Sequence, residues 1–556
     1  MPPTLLASDG PTRRRFVTGG AAIGAALVAR PGWAQDLGGA GGPNDLTLAP
    51  LDVNFTGRPR QATAINGGVP GPLLRLRQGE TATVRVTNRL AALTSIHWHG
   101  VLVPPEMDGV PGISFPGIAP GQAFTYRFPV IQAGTYWYHA HTLHEQTGVY
   151  GPIIIDGDEG DLPKADRDYV VMISEWSDED PLRIYGKLKK LGGYYNFNQP
   201  NLGDFFEDAR GSGFAAALSS RSMFYRARMD PTDLSDISGA TFTYLMNGMT
   251  PVGNWTGHAR GGDRVRLRFI GAGAATYFDV RIPGLKLTVV AADGQPVEPV
   301  TVDEFRIAPG ETYDVYVEMP DDRAYTIFAQ AMDRSGFARG TLGPPGATPA
   351  AVPAVDRRPW LTPADMMGGM AMADMPGMEM PAGPIARHAR TEYGPGVDMR
   401  VDRPRINLDD PGIGLRDNGR RVLTYADLKS RGVKVDPRPD GREIELHLTG
   451  NMDRYIWSID GIRYSQSPPV AFKAGERLRL VLVNDTMMTH PMHLHGMWMD
   501  LESPDGQFQV RKHTVTVQPA QRVSIGVNAD APGRWAFHCH ILYHMAAGMF
   551  REIVVA

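Results

Sequence analysis

One spacing, repeated along the chain, constrains the fold more than any other feature. Gly79-Glu80 opens the run Thr-Ala-Thr-Val-Arg-Val-Thr-Asn, and His97-Trp98-His99-Gly100 begins 18 residues after the glycine. Gly475-Glu476 opens Arg-Leu-Arg-Leu-Val-Leu-Val-Asn, and His493-Leu494-His495-Gly496 begins at the same distance. Gly121 lies 18 residues before His139-Ala140-His141, and Ala520 lies 18 before His538-Cys539-His540. Two stretches that share both spacings and both motifs read as copies of one unit. Gly262-Asp263 and Gly310-Glu311 mark a third copy, but 18 residues on stand Val280-Arg281-Ile282 and Phe328-Ala329-Gln330. That middle copy is expected to keep the fold and to carry no paired histidines.

The strand patterns give the class. Val265, Leu267 and Phe269 alternate with Arg264, Arg266 and Arg268, the period of a half-buried strand. Leu478, Leu480 and Leu482 alternate with Arg477 and Arg479 and then with Val481 and Val483, which predicts burial on both faces. Gly and Pro together make up 110 of 556 residues, which favours short strands and many turns. These patterns predict an all-β chain of Greek-key sandwiches or barrels, placed at 45–160, 165–335 and 400–556. Between the last two, residues 340–395 are rich in Pro, Gly and Ala. Met366, Met367, Met370, Met372, Met375, Met378 and Met380 fall within fifteen positions there, with no aromatic residue to build a core.

Residues 1–34 read as an export signal. Arg13-Arg14-Arg15-Phe16 precedes an apolar run from Gly19 to Ala29 and a small-residue site at Gly32/Ala34. The run is too short to span a bilayer, and the paired arginines resemble the twin-arginine signal. A periplasmic, or otherwise extracytoplasmic, protein is expected, with no stable membrane span. The chain carries a formal charge of −4, and the signal segment holds a net +3, leaving −7 on the remainder. An acidic body of this kind argues against nucleic acid as a partner.

Ten of the 15 histidines sit in four clusters. A His-x-His pair on a strand turns both rings to one face, and imidazole is a common ligand for copper, zinc and iron. The fourth cluster selects among metals. His538-Cys539-His540 is followed by His544 and Met549, and a Cys thiolate, two His and a weak axial Met form the blue-copper electron-transfer site. The two histidines can be His544 and the otherwise unpaired His490. A lone Cys among many His is unusual for structural zinc, and one Cys cannot form an intrachain disulfide.

His97-Trp-His99-Gly, His139-Ala-His141, His490-Pro-Met-His493-Leu-His495-Gly and His538-Cys539-His540-(x)₃-His544-(x)₄-Met549 resemble the four copper motifs of three-domain multicopper oxidases. The Met-rich linker, the twin arginines and the Met487-Met488-x-His490 segment look most like the copper-resistance protein A branch. The resemblance implies three cupredoxin-like domains and four copper ions. His490, Cys539, His544 and Met549 would hold type 1 copper, and His97 and His493 type 2. His99, His139, His141, His495, His538 and His540 would hold the type 3 pair. It further implies that electrons enter at the type 1 site, pass along the backbone beside Cys539, and reduce O2 to water. Asp108 stands where similar oxidases carry a proton-relaying acid. Met545 stands where some relatives carry another.

Three readings fit this pattern. Cu(I) suits soft thioethers, offered by the linker and by Met487 and Met488 beside His490. A laccase-like oxidase of phenols or aromatic amines would share every ligand. The third possibility is a copper-sequestering protein whose oxidase activity is incidental. His144, His258, His388, His447 and His513 match no motif and are read as structural or solvent-exposed, with His144 near enough to stand behind His141.

Overall fold

The structure is a computed structural model that describes residues 45–158, 162–366 and 384–556. The export segment and Met367 to Met380 lie outside the described residues. Three pairs of packed sheets follow one another along the chain, with four and four, six and five, and six and five strands.

The same topology is built three times. Asp45–Val53 pairs parallel with Thr81–Asn88, which pairs antiparallel with Ala123–Pro129. Arg167–Ser177, Arg264–Gly271 and Thr312–Glu318 repeat that arrangement, as do Glu443–Asn451, Arg477–Asn484 and Arg522–Asn528. The repeated turn position is left-handed in all six places, from Gly79 (φ 87°) to Gly310 (φ 91°), and Ala520 alone adopts it with a side chain (φ 54°).

The Leu478–Val483 strand is buried on both faces, as its pattern predicts. The Arg264–Arg268 strand departs from its pattern. Arg266 and Arg268 are buried too, because the polar face lies against the first domain: Arg268 meets Asp168 at 2.6 Å and Thr135 at 3.0 Å, and Arg266 meets Asp314 at 2.6 Å. Paired carboxylates let a charged face serve as an interdomain seam.

The all-β expectation also misses an insertion in the second domain. Helices span Pro181–Leu188, Leu202–Ser212 and Phe214–Ala227. The signal is local: Asn201 caps the second helix by accepting from Gly203 and Asp204 N–H, and the Asp204 carboxylate accepts from Asn201 N–H. Just past this insertion the chain delivers Asp236 to the third domain.

Candidate metal centre

Short strands aim the histidines. His97 pairs opposite His139 in the first domain, and His493 opposite His538 in the third. The matching strands of the middle domain pair Val280 with Ala329 and Arg281 with Phe328, so it brings no ligand. The first and third domains face each other with these strands, and eight imidazoles meet between them, none more than 9% exposed. Three donor sets form, each with donor atoms within 4.8 Å of one another: His97, His99 and His493; His99, His139 and His540; His141, His495 and His538. Every set draws on both domains.

Backbone carbonyls and carboxylates fix the outer edge of most rings. Nδ1–H of His97 donates to the Asp108 carbonyl (2.8 Å), that of His493 to the His513 carbonyl (2.5 Å) and that of His538 to the Cys539 carbonyl (2.9 Å). His139 Nδ1 lies 3.0 Å from the Glu145 carboxylate, and His495 Nδ1 lies 2.9 Å from that of Asp108. The opposite nitrogens then point inward as lone pairs. Nε2 of His97, His139 and His493 and both nitrogens of His540 are buried without a hydrogen-bond partner, and Nε2 of His141 and His495 converge on His538 Nε2 at 3.2 and 3.1 Å. Buried, orphaned imidazole nitrogens cost about 1–3 kcal/mol each unless something else engages them. Metal ions fit this donor set.

Burial holds these rings neutral, the form that ligates. It lowers His99, His139, His141, His493, His495 and His540 well below the ordinary imidazole value, His538 to about 3 and His513 to about 4. The unfolded chain therefore takes up protons that the folded one refuses. Stability from these groups is fully present above about pH 6.5 and is lost as pH falls from there toward 4 and 3. Metal-free protein should lose about 2 kcal/mol for each of His513 and His538 between pH 7 and 5, read as a falling urea midpoint. A midpoint unchanged over that range would contradict the burial argument.

A second cluster lies in the third domain. His490 Nδ1 and His544 Nδ1 each stand 3.6 Å from Cys539 Sγ and 3.2 Å from each other. Bonds of about 2.0 Å to nitrogen and 2.3 Å to sulfur in a trigonal plane would separate such donors by roughly 3.5–3.7 Å. The triangle is already near that size. All three residues and Met549 are fully buried. Burial pushes the Cys539 thiol up, so a thiolate here needs a cation beside it. The outer nitrogens are held by Thr486 Oγ1 on His490 (2.7 Å) and by the Asp236 carboxylate on His544 (2.5 Å). Tyr455 O–H also donates to Asp236, and Trp457 lies over the His544 ring at 4.0 Å.

Three multicopper oxidase family models match residues 47–160, 167–348 and 437–556. The chain belongs to the multicopper oxidases. It is similar to Copper resistance protein A of Escherichia coli, 54% identical over 92% of each chain. It is also similar to Copper resistance protein A of Pseudomonas syringae pv. tomato, 50% identical over 98% of this chain and 99% of the other. Among solved structures it superposes on Fet3p, a multicopper oxidase that functions in iron import (TM-score 0.66, 19% identity, 92% and 90% covered). The laccase of Botrytis aclada follows (TM-score 0.61, 22% identity, 92% and 87% covered). The fold is therefore cupredoxin-like in three domains, and the protein is a copper-dependent oxidoreductase.

Burial sorts the remaining residues of this multicopper oxidase. Met487 and Met488 are 1% and 2% exposed and belong to the core shared with Met492, Met497 and Met499. Thioethers packed there present no face to solvent, which favours core packing over docking of Cu(I) at Met487 and Met488. Met366 is also buried, at the end of the short helix Pro363–Met366. His144 turns to Thr94 and Thr142 at 3.2 Å each. His258 is exposed, and His513 is buried against the His99 ring. Asp236 and Glu145 were missed. No motif marks Asp236, whereas Glu145, four residues past His141, was an acid close to a ligand pair.

Proposed function

We propose that this multicopper oxidase binds four copper ions and couples oxidation of Cu(I) to reduction of O2 to water, in the periplasm, as part of copper tolerance. The observation that carries the choice of substrate is the methionine tract in a chain 54% identical to Copper resistance protein A. His490, Cys539, His544 and Met549 would hold the type 1 ion, and His97 and His493 the type 2 ion. The two remaining donor sets, His99/His139/His540 and His141/His495/His538, would each hold one type 3 ion. Copper supplies one-electron transfer from substrate and, where three ions act together, four-electron reduction of O2.

The chain's own residues do the rest. Cys539 lies between His538 and His540, so covalent backbone joins the two sites over a few bonds. Asp236 fixes the His544 ring from the second domain. Asp108 touches His495 and His97 on one side of the eight-histidine centre, and Glu145 touches His139 on another. Both carboxyl groups would pass protons inward; Met545 supplies no acid directly after His544, and the carboxylate beside that ring is Asp236. The twin arginines support export through the twin-arginine machinery.

Deletion of residues 367–380, which spares the buried Met366, tests the substrate. Cu(I) oxidation should weaken at low Cu(I), with KM rising on the order of tenfold for the loss of about 1.4 kcal/mol of thioether binding. Blue colour and phenol oxidation should be unchanged. Met488→Leu, a volume-conserving change in the core, should leave both substrates unaffected. A deletion that oxidises Cu(I) as the parent does would make the tract a linker and favour the laccase-like reading. Copper tolerance that survives loss of Cys539 would favour sequestration.

A further inference from the structure

Two of the histidines outside every copper motif come together away from the oxidase centre. His447 lies on the strand Glu443–Asn451, and Asp485 follows the adjacent strand, Arg477–Asn484. The segment after the methionine tract crosses this sheet: Ala386 covers Val481 and Val483, and His388 and Glu392 descend beside His447 and Asp485. Their side chains are 4%, 1%, 3% and 0% exposed for His388, Glu392, His447 and Asp485.

The four groups are arranged like ligands. His388 Nδ1 lies 2.7 Å from Glu392 Oε2 and 3.6 Å from Asp485 Oδ2; His447 Nδ1 lies 2.7 Å from Asp485 Oδ2 and 3.4 Å from Glu392 Oε2. All four donor atoms lie within 4.8 Å of one another. A tetrahedral ion with bonds of about 2.0 Å would hold its donors roughly 3.3 Å apart, close to these separations. Each carboxylate uses its other oxygen on a backbone N–H, Ala389 for Glu392 (2.9 Å) and Val401 for Asp485 (2.7 Å). One oxygen of each is thereby aimed inward. Nε2 of His447 faces Glu445 at 3.3 Å, and Nε2 of His388 faces Asp402 at 3.5 Å without a hydrogen bond. A carboxylate behind the outer nitrogen is the usual support of a metal-binding histidine.

We propose that His388, Glu392, His447 and Asp485 form a fifth metal site, for one divalent cation of borderline softness, Cu(II) in this protein. Two imidazoles and two carboxylates suit Cu(II) or Zn(II), disfavour Cu(I), and differ from the all-oxygen cages of Mg(II) or Ca(II). Two negative charges would neutralise the ion. Without a metal the same burial needs protons. Burial lowers His447, but its hydrogen bonds to Asp485 and Glu445 outweigh that and push it up to about 10. Binding must therefore displace a proton. The site begins eight residues past Met380 and ends five before His490. If the Cu(I) reading holds, on which this last step rests, thioethers gather the substrate ion and the fifth site takes its oxidised product.

Copper-loaded protein titrated with Cu(II) at pH 7, desalted and analysed for metal, tests the site without any turnover. Wild type should retain one Cu(II) more than His388→Ala/Glu392→Gln, with nitrogen-coupled paramagnetic resonance that the variant lacks. Affinity for that ion should fall by more than about 100-fold. The type 1 colour and phenol oxidation report the fold and should be alike in both proteins. His388→Gln, which keeps a polar side chain, should show the same loss if the double variant fails to fold. Equal copper retention in wild type and in a folded variant overturns the proposal. A wild type that holds no extra Cu(II) yet oxidises Cu(I) sinks the site alone, and a wild type that holds it yet does not oxidise Cu(I) sinks the substrate reading alone.

Discussion

Cys539→Ser is expected to yield a colourless protein whose oxidase turnover falls to background while copper bound by the eight-histidine centre remains. The thiolate contributes the charge-transfer colour, and it is the one soft, anionic donor in the triangle with His490 and His544. A serine hydroxyl at the same place is harder and far more reluctant to ionise. Because Cys539 also joins His538 to His540, the substitution cuts the electron path at its start and leaves the flanking histidines in their sheet register. Absorbance, copper content and O2 uptake on one sample read these effects separately. A blue serine variant, or one that oxidises at the parent's rate, would refute the assignment of Cys539.

Asp108→Ala should reduce activity with every substrate by about 10- to 100-fold, the usual cost of removing a group that orients a metal-binding histidine. The Asp108 carboxylate contacts His495 across the interface between the first and third domains. The His97 contact to the Asp108 backbone carbonyl survives any substitution. Asp108→Asn separates two roles, because the amide oxygen still accepts from His495 but cannot exchange a proton. If Asp108 carries protons, Asn is as slow as Ala although copper content is normal, and the solvent isotope effect on the rate rises because proton delivery has become the slow step. If Asp108 only positions His495, Asn restores most of the rate.

The strands and the histidine pairs were legible because both signals are periodic: side chains alternate along a strand, and the repeat supplied its own control in a copy without paired histidines. The split of six histidines into two sets of three was not legible, since it depends on which rings face each other across a domain junction. Asp236 reaches His544 over 308 residues, and no local pattern encodes such a contact. The buried arginines of the Arg264–Gly271 strand misled for a related reason, because alternation cannot tell water from a face that is paired with its own domain's Asp168 and Asp314 and covered by the first domain at Thr135. Met487 and Met488 show the same limit. A soft donor beside a ligand motif and a core side chain beside a ligand motif look identical until burial is known.

Oxygen uptake by the copper-loaded protein supplied with Cu(I), corrected by Cys539→Ser for uncatalysed oxidation, tests the central claim most directly. Coupling one-electron oxidation to water formation requires one O2 consumed per four Cu(I) oxidised, with no hydrogen peroxide released. A ratio of one O2 to two Cu(I) with peroxide accumulating, or uptake no faster than in the serine variant, would contradict it.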